Sequence, residues 1–131
     1  MQKIPVLIVT SRAEDVAELS SILEGTPWEL TDASHAEDAA AALKVASAPI
    51  LLFDRDAAGP SWQKTMRELI KSRRSACVVL LSSVADQYLW EEVVQHGGFE
   101  LLSRPFRKEA VLSTLVFAYA HCRAPWPKAV S

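Results

Sequence analysis

The stretch Pro49-Ile50-Leu51-Leu52-Phe53-Asp54 decides the fold. Four large apolar residues stand together, start at a proline and stop at a carboxylate. A short, unbroken apolar run of this kind reads as a strand buried on both faces. Asp54 stands where that strand ends. Two later runs also end in chemistry: Cys77-Val78-Val79-Leu80-Leu81 stops at Ser82, and Leu101-Leu102-Ser103 leads into Arg104-Pro105-Phe106. The first run, Val6-Leu7-Ile8-Val9, ends in Thr10-Ser11. In a parallel sheet such strand ends meet on one edge, where open α/β folds place their sites. An acid, a hydroxyl and a cation would converge there.

The segments between the runs read as helices. Ser11 is the expected cap of a first helix running to about Leu23, with Glu14 in capping-box spacing and Gly25 as its stop. Its inward face would carry Val16, Leu19, Ile22 and Leu23. Trp28 to Ala33 alternates as a short strand, and the Ala-rich residues 36–46, capped by Ser34, form the next expected helix. Ala57-Ala58-Gly59-Pro60 reads as a loop before a helix from Trp62 to Arg73 capped by Ser61. Asp86 caps a helix from Gln87 to Gln95, which Gly97-Gly98 stops. Phe99 to Leu102 is the last strand, and a final helix runs from about Arg107 to His121.

Strand and helix thus alternate five times. The fold class this predicts is α/β: a parallel sheet covered by helices on both faces, with right-handed crossovers leaving few topologies. The chain has 131 residues, half of them hydrophobic, which suits one core. Residues 1–123 read as one domain and 124–131 as a C-terminal tail broken by Pro125 and Pro127.

Charge and cysteine usage exclude several functions. With 14 basic and 16 acidic residues the net charge is -2, which gives no direct nucleic-acid or membrane signature. The first apolar stretch, about six residues, is too short for a signal peptide or a membrane span. Cys77 and Cys122 form no metal-ligand spacing and read as two reduced thiols of a cytoplasmic protein. No Ser-His-Asp or Cys-His set falls on converging strand ends, so no enzyme is expected. His35, His96 and His121 are scattered at helix ends or on the surface.

The order of elements, Asp54 after the third strand, Ser82 after the fourth and Arg104-Pro105-Phe106 after the fifth resemble the receiver domain of two-component response regulators. The likeness covers residues 4 to about 121 and implies a flavodoxin-like, doubly wound (βα)5 sandwich whose five-stranded parallel sheet runs in order 2-1-3-4-5. Ser82 stands 22 residues before Arg104, the family's spacing from Ser/Thr to the Lys of a Lys-Pro-Phe-like turn, and Gly97-Gly98 matches a Gly-Ala pair. The resemblance implies that Asp54 is the candidate phosphoacceptor, receiving a phosphoryl group from a histidine kinase with bound Mg²⁺. It implies that Ser82 and Arg104 contact the phosphate and that Leu101 holds the switch position. The chemistry is consistent: a carboxylate can become an acyl phosphate, and a cation must offset the transition-state charge.

Several positions depart from the family pattern. Thr10 and Ser11 replace the acidic pair after the first strand, leaving a weak Mg²⁺ site at best, around Asp54 and Asp56. Arg104 replaces Lys and brings a planar fork instead of a point charge. Ala58 and Trp62 stand where the family carries Pro and Gly, and Leu101 replaces the switch aromatic. Glu14 and Asp15 read as first-turn acids that favour the helix dipole. A structural role for Asp54, paired with Arg104, is expected over phosphate binding, with Asp56 an alternative partner for Arg104. Ser82 is expected to cap the loop after its strand, with Ser83 an equal candidate.

The last helix carries more apolar residues than one buried stripe needs: Val111, Leu112, Leu115, Val116, Phe117 and Tyr119. Leu112, Val116 and Phe117, with Trp90 on the preceding helix, suggest an interface on the face shared by those two helices and the last strand, with a homodimer as its product. The reading is a receiver-like signalling module acting through protein contacts, with impaired or absent Mg-dependent phosphorylation and no tightly bound cofactor. Two alternatives stay open: a genuine phosphoacceptor receiver, stand-alone or cut from a protein with an output domain, and a flavodoxin-like cofactor binder. The second suffers from Thr10-Ser11-Arg12-Ala13, a loop with hydroxyls but no Gly for a phosphate.

Overall fold

The computed structural model describes residues 3–33, 48–72 and 76–123. The helix expected at 36–46, with Ser34 and His35, lies outside them, as do Arg73 and the tail with its prolines. Five strands, β1 (Ile4–Val9), β2 (Trp28–Ala33), β3 (Ile50–Asp54), β4 (Cys77–Ser82) and β5 (Glu100–Ser103), form one parallel sheet in the expected order 2-1-3-4-5. The described helices are α1 (Ala13–Leu23), α2 (Trp62–Ser72), α3 (Gln87–Gln95) and α4 (Lys108–Arg123).

The apolar runs form the middle of the sheet because only a strand covered on both faces can hide consecutive apolar side chains. Successive residues point to opposite faces, so each run feeds two cores. Leu7, Val9, Leu51, Phe53, Val78 and Leu80 meet Trp62, Met66 and Leu69 of α2 and Leu89 and Val93 of α3. Val6, Ile8, Ile50, Leu52, Val79 and Leu81 meet Leu19 and Leu23 of α1 and Val111, Leu115 and Ala118 of α4. Each fully buried Leu or Phe contributes about 1.5–3 kcal/mol of apolar transfer.

Local signals mostly act as expected. Asp86 accepts from the Leu89 amide at 2.8 Å and caps α3. Gly25 and Gly97 take positive φ angles of 80° and 93° at the ends of α1 and α3. Three readings change. Ser11 is exposed and does not cap α1; Arg12 holds the cap position without a side-chain bond, and Thr10 Oγ1 accepts from the Arg12 amide at 3.1 Å. Residues 55–61 form a 3-10 helix instead of a loop, so Ser61 continues a turn instead of opening α2 as a free cap. Asp54 nucleates that turn by accepting from the Asp56 amide at 3.3 Å.

Cys77, expected as a reduced thiol, is disulfide-bonded. It opens β4 directly beneath α4, with its sulfur 3.6 Å from the Ala118 carbonyl oxygen. The chain's other cysteine, Cys122, is also in α4. Sequence distance conceals the closeness of Cys77 to Ala118, which depends on how the last helix lies across the sheet.

Candidate functional site

Strand register aligns the chemistry. Val9 pairs with Phe53, Asp54 with Leu81, and Ser82 with Ser103, so Thr10, Asp54, Ser82 and Arg104 all arrive at one end of the sheet. The Arg104 amide donates to the Ser82 carbonyl at 2.9 Å and carries the β4–β5 ladder one step past β5. The buried polar and charged residues among those described are Thr10, Asp15, Asp54 and Ser82. All four stand at this edge. Burying a carboxylate is costly unless it is paired and hydrogen-bonded, so the edge must satisfy itself internally.

Arg104 supplies that satisfaction. Its Nη2 lies 2.9 Å from Asp54 Oδ1 and 2.5 Å from Asp15 Oδ2, and its Nε lies 2.9 Å from Asp15 Oδ1. The Asp15 contact is a two-pronged fork, the geometry in which guanidinium and carboxylate match best. Asp54 is fully buried and Asp15 nearly so. The Arg104 guanidinium lies 5.7 Å from the centre of the Phe106 ring. Thr10 Oγ1 is 2.8 Å from Asp15 Oδ2 and 3.3 Å from Asp54 Oδ2. A hydroxyl has one proton, so it donates to Asp15 at the shorter distance and the Asp54 contact is secondary.

Electrostatics follow from these contacts. Burial pushes the Asp15 carboxyl up, but hydrogen bonds from Arg104 and Thr10 and the charges of Arg104 and Arg12 outweigh it and hold it below the ordinary carboxylate value. The hydrogen bond to Asp15 does most to raise Arg104 above the usual arginine value, with burial opposing and Asp54 assisting. Arg104 is therefore a fixed cation at any ordinary pH.

The structure brings together part of the expected site. Asp54 and Arg104 pair as anticipated. Asp56 does not join them; it is exposed, and its backbone, not its carboxylate, meets Asp54. Ser82 is buried and its hydroxyl accepts from the Val84 amide at 3.0 Å, the loop-capping role expected of it. Ser83 Oγ is exposed and accepts from Arg12 and Arg104 instead. Leu101 packs partly buried against the core on the α2–α3 face. Ser11 is exposed and lines, with Thr10, Arg12, Asp32 and Asp56, a cleft of about 440 Å³ beside the site. Asp54 does not line that cleft.

Asp15 is the residue that sequence reading placed wrongly. Its place in the first turn suggests a role toward the helix dipole, yet it turns inward and is buried. A signal existed: Asp15, Leu19 and Leu23 are the buried residues of α1, spaced four apart, so an acid heads the apolar stripe. The helix thereby returns a carboxylate to an edge where Thr10 and Ser11 supply none.

The residues as arranged do not fit a Mg²⁺ ion. A positively charged nitrogen sits between the two carboxylates, at hydrogen-bond distance from both. Among the described residues no cluster of three or more His, Cys, Asp or Glu forms.

Comparison with solved structures resolves the architecture. The chain is similar to the signal receiver domain of an HD domain-containing protein from Pseudomonas fluorescens Pf-5, with a TM-score of 0.82 at 19% identity over 95% of this chain and 92% of that one. The fold is that of a receiver domain. The chemotaxis protein CheY4 of Vibrio cholerae gives a TM-score of 0.77 at 18% identity, covering 88% of this chain and 98% of its own. A CheY-like receiver domain protein from Methanospirillum hungatei JF-1 gives 0.79 at 16%, covering 92% and 97%. No family model and no curated protein matches the sequence. At these identities the receiver fold is shared while side chains are free to differ, and the arginine between two buried acids must be read from this chain alone.

The remaining expectation concerns surface. Trp90, Val116 and Phe117 are 40%, 54% and 65% exposed. Trp90 Nε1 donates to Glu100 Oε1 at 2.8 Å, which draws the indole to the β5 side of α3. Leu112, expected beside them, is instead half-buried against the α1–α4 core, because Val111 and Leu115 turn the same helix face to the sheet. No described helix is long and apolar enough to cross a membrane.

Proposed function

We propose that this chain is a receiver-like signalling module of a two-component or phosphorelay system that acts through protein contacts. In this reading Asp54 is a structural anion and not a Mg-dependent phosphoacceptor. One observation carries it: the fully buried Asp54 carboxylate is held by Arg104 Nη2 at 2.9 Å, and the same nitrogen holds Asp15. An internal cation thus does continuously what a metal would do transiently. The carboxylate is shielded from any donor, and the charge that would attract a divalent ion is already offset.

Protein partners are the output this arrangement leaves. Trp90, Val116 and Phe117 form exposed apolar surface on α3 and α4, and large exposed apolar side chains favour association. A second copy of the chain is the occupant proposed for this face, with a histidine kinase or another cytoplasmic signalling protein as further partner. No enzymatic activity is assigned.

The test is incubation with acetyl phosphate and Mg²⁺ followed by intact-mass measurement. The expected spectrum contains only the unmodified chain. Stoichiometric labelling at Asp54 would instead establish the second reading, a working phosphoacceptor, which the placement of Asp54 and Ser82 on one sheet edge favours.

A further inference from the structure

Arg12 and Arg104 come from opposite ends of the chain and meet at one hydroxyl. Arg12 Nη1 donates to Ser83 Oγ at 3.3 Å, and Arg104 Nη1 donates to the same oxygen at 3.4 Å. Both contacts are longer than the roughly 2.9–3.0 Å optimum for N–H···O bonds. A neutral hydroxyl is also a poor match for two permanent cations, since charge-assisted bonds are about twice as strong as neutral ones. Ser83 Oγ is therefore a weak acceptor shared by two guanidinium groups, of which Arg104 is already paired through its other nitrogens and Arg12, among the described residues, is not.

The two arginines are differently prepared for something better. The inward edge of Arg104, Nε and Nη2, is committed to Asp15 and Asp54, so Nη1 is presented outward by a side chain that cannot swing. Arg12 enters no salt bridge among the described residues; both such bridges belong to Arg104. Ser83 itself is exposed, and residues 84–86 are irregular chain between β4 and α3. The hydroxyl is open to solvent, whereas Ser82 beside it is buried.

We propose that Arg12, Ser83 and Arg104 form a seat for a phosphate oxyanion on the rim of the pocket, outside the sealed Asp54. A tetrahedral phosphoryl group has an oxygen for each fork and a third for solvent or the Ser83 hydroxyl. A planar carboxylate fits a single fork better than it bridges two. The occupant joins the β1–α1, β4–α3 and β5–α4 connections, which carry Arg12, Ser83 and Arg104 respectively. Two sources have this chemistry. One is free phosphate or a phosphorylated small molecule. The other is Ser83 after transfer from a nucleoside triphosphate by a protein kinase. In that transfer the Oγ–P bond forms, the bond between the γ-phosphorus and its bridging oxygen breaks, the nucleoside diphosphate leaves, and the hydroxyl proton passes to the kinase's base.

The experiment has two arms on the full chain. In the first, inorganic phosphate is titrated at low ionic strength into ¹⁵N-labelled protein and into Arg12→Gln. Saturating shifts at Arg12, Ser83 and Arg104 are expected. Loss of one charged hydrogen-bond partner predicts about tenfold or greater weakening in Arg12→Gln. Arg107→Gln, an exposed cation outside the seat, should bind as wild type. In the second arm, phosphoserine is installed at position 83. If the covalent group fills the seat, Tm rises and free phosphate no longer titrates. If Tm does not rise while the unmodified chain binds phosphate saturably, the occupant is a free anion. Linear shifts equal in wild type and Arg12→Gln, together with no rise in Tm for phosphoserine 83, overturn the proposal. Neither readout uses Asp54, so the outcome is separate from whether Asp54 takes a phosphoryl group.

Discussion

Replacing Arg104 with methionine tests the central claim that this side chain holds the pocket together. Met keeps much of the stem, including the apolar reach toward Phe106, and removes the charge. The structure then leaves two carboxylates, one fully buried and one nearly so, without their cation. Three hydrogen bonds to charged acceptors are lost, and removing one partner of a buried pair costs about 3–5 kcal/mol. A domain of this kind has about 5–15 kcal/mol of stability in total, so Arg104→Met should be severely weakened at pH 7. Urea unfolding, followed through the buried Trp28 and Trp62, is the assay. With a slope of about 2 kcal/mol/M, a loss of about 4 kcal/mol lowers the midpoint by about 2 M.

The pH dependence adds a second, signed readout. In the native chain Asp15 lies below its ordinary value, so its contribution is present above the unfolded pKa of about 3.9 and fades as pH falls through the folded one. In the variant burial is opposed only by the Thr10 hydrogen bond and the Arg12 charge, so the carboxyl moves up from its native value. Protonation then relieves the buried charge, and the deficit relative to wild type should shrink between pH 7 and pH 4. A deficit under about 1 kcal/mol at pH 7, or one that stays flat down to pH 4, would refute the reasoning.

Two further outcomes are expected. Light scattering at high micromolar concentration should show a dimer that Trp90→Glu and Phe117→Glu convert to monomer; a monomeric wild type removes the proposed interface. Gly98→Ala should lose about 1–3 kcal/mol in urea unfolding, because the added Cβ would lie 2.6 Å from Val93 Cγ1, 3.0 Å from Met66 Sδ and 3.1 Å from the Val93 carbonyl oxygen. A wild-type midpoint for that variant would mean that α3 yields easily at its end.

Much of the fold is legible because its signals are local. Ile50–Phe53 cannot be half-exposed, and Asp86 and Gly97 mark the ends of α3 by capping chemistry that needs only neighbouring residues. Failures occur where a remote element supplies the decisive contact. Ser11 looked like a cap, but Thr10, held by Asp15 of α1, takes the local amide instead. Leu112 looked surplus until α4 met the sheet. Asp15 followed a favourable surface rule, charge near a helix N-terminus, and the tertiary structure overrode it with a buried cation 89 positions away.

The chain's sequence alone determined that strand ends would gather Thr10, Asp54, Ser82 and Arg104 on one edge, since runs of that length and polarity leave a parallel sheet few alternatives. It also determined that the acidic pair for a metal was missing. Only the tertiary structure decided what fills the gap. Buried charges must find partners, and whether Arg104 reaches Asp54, Asp56 or solvent depends on α1 turning Asp15 inward to the same end of the sheet, where it takes the Arg104 fork. Spacing places residues on an edge; the requirement that each buried charge be paired chooses among them.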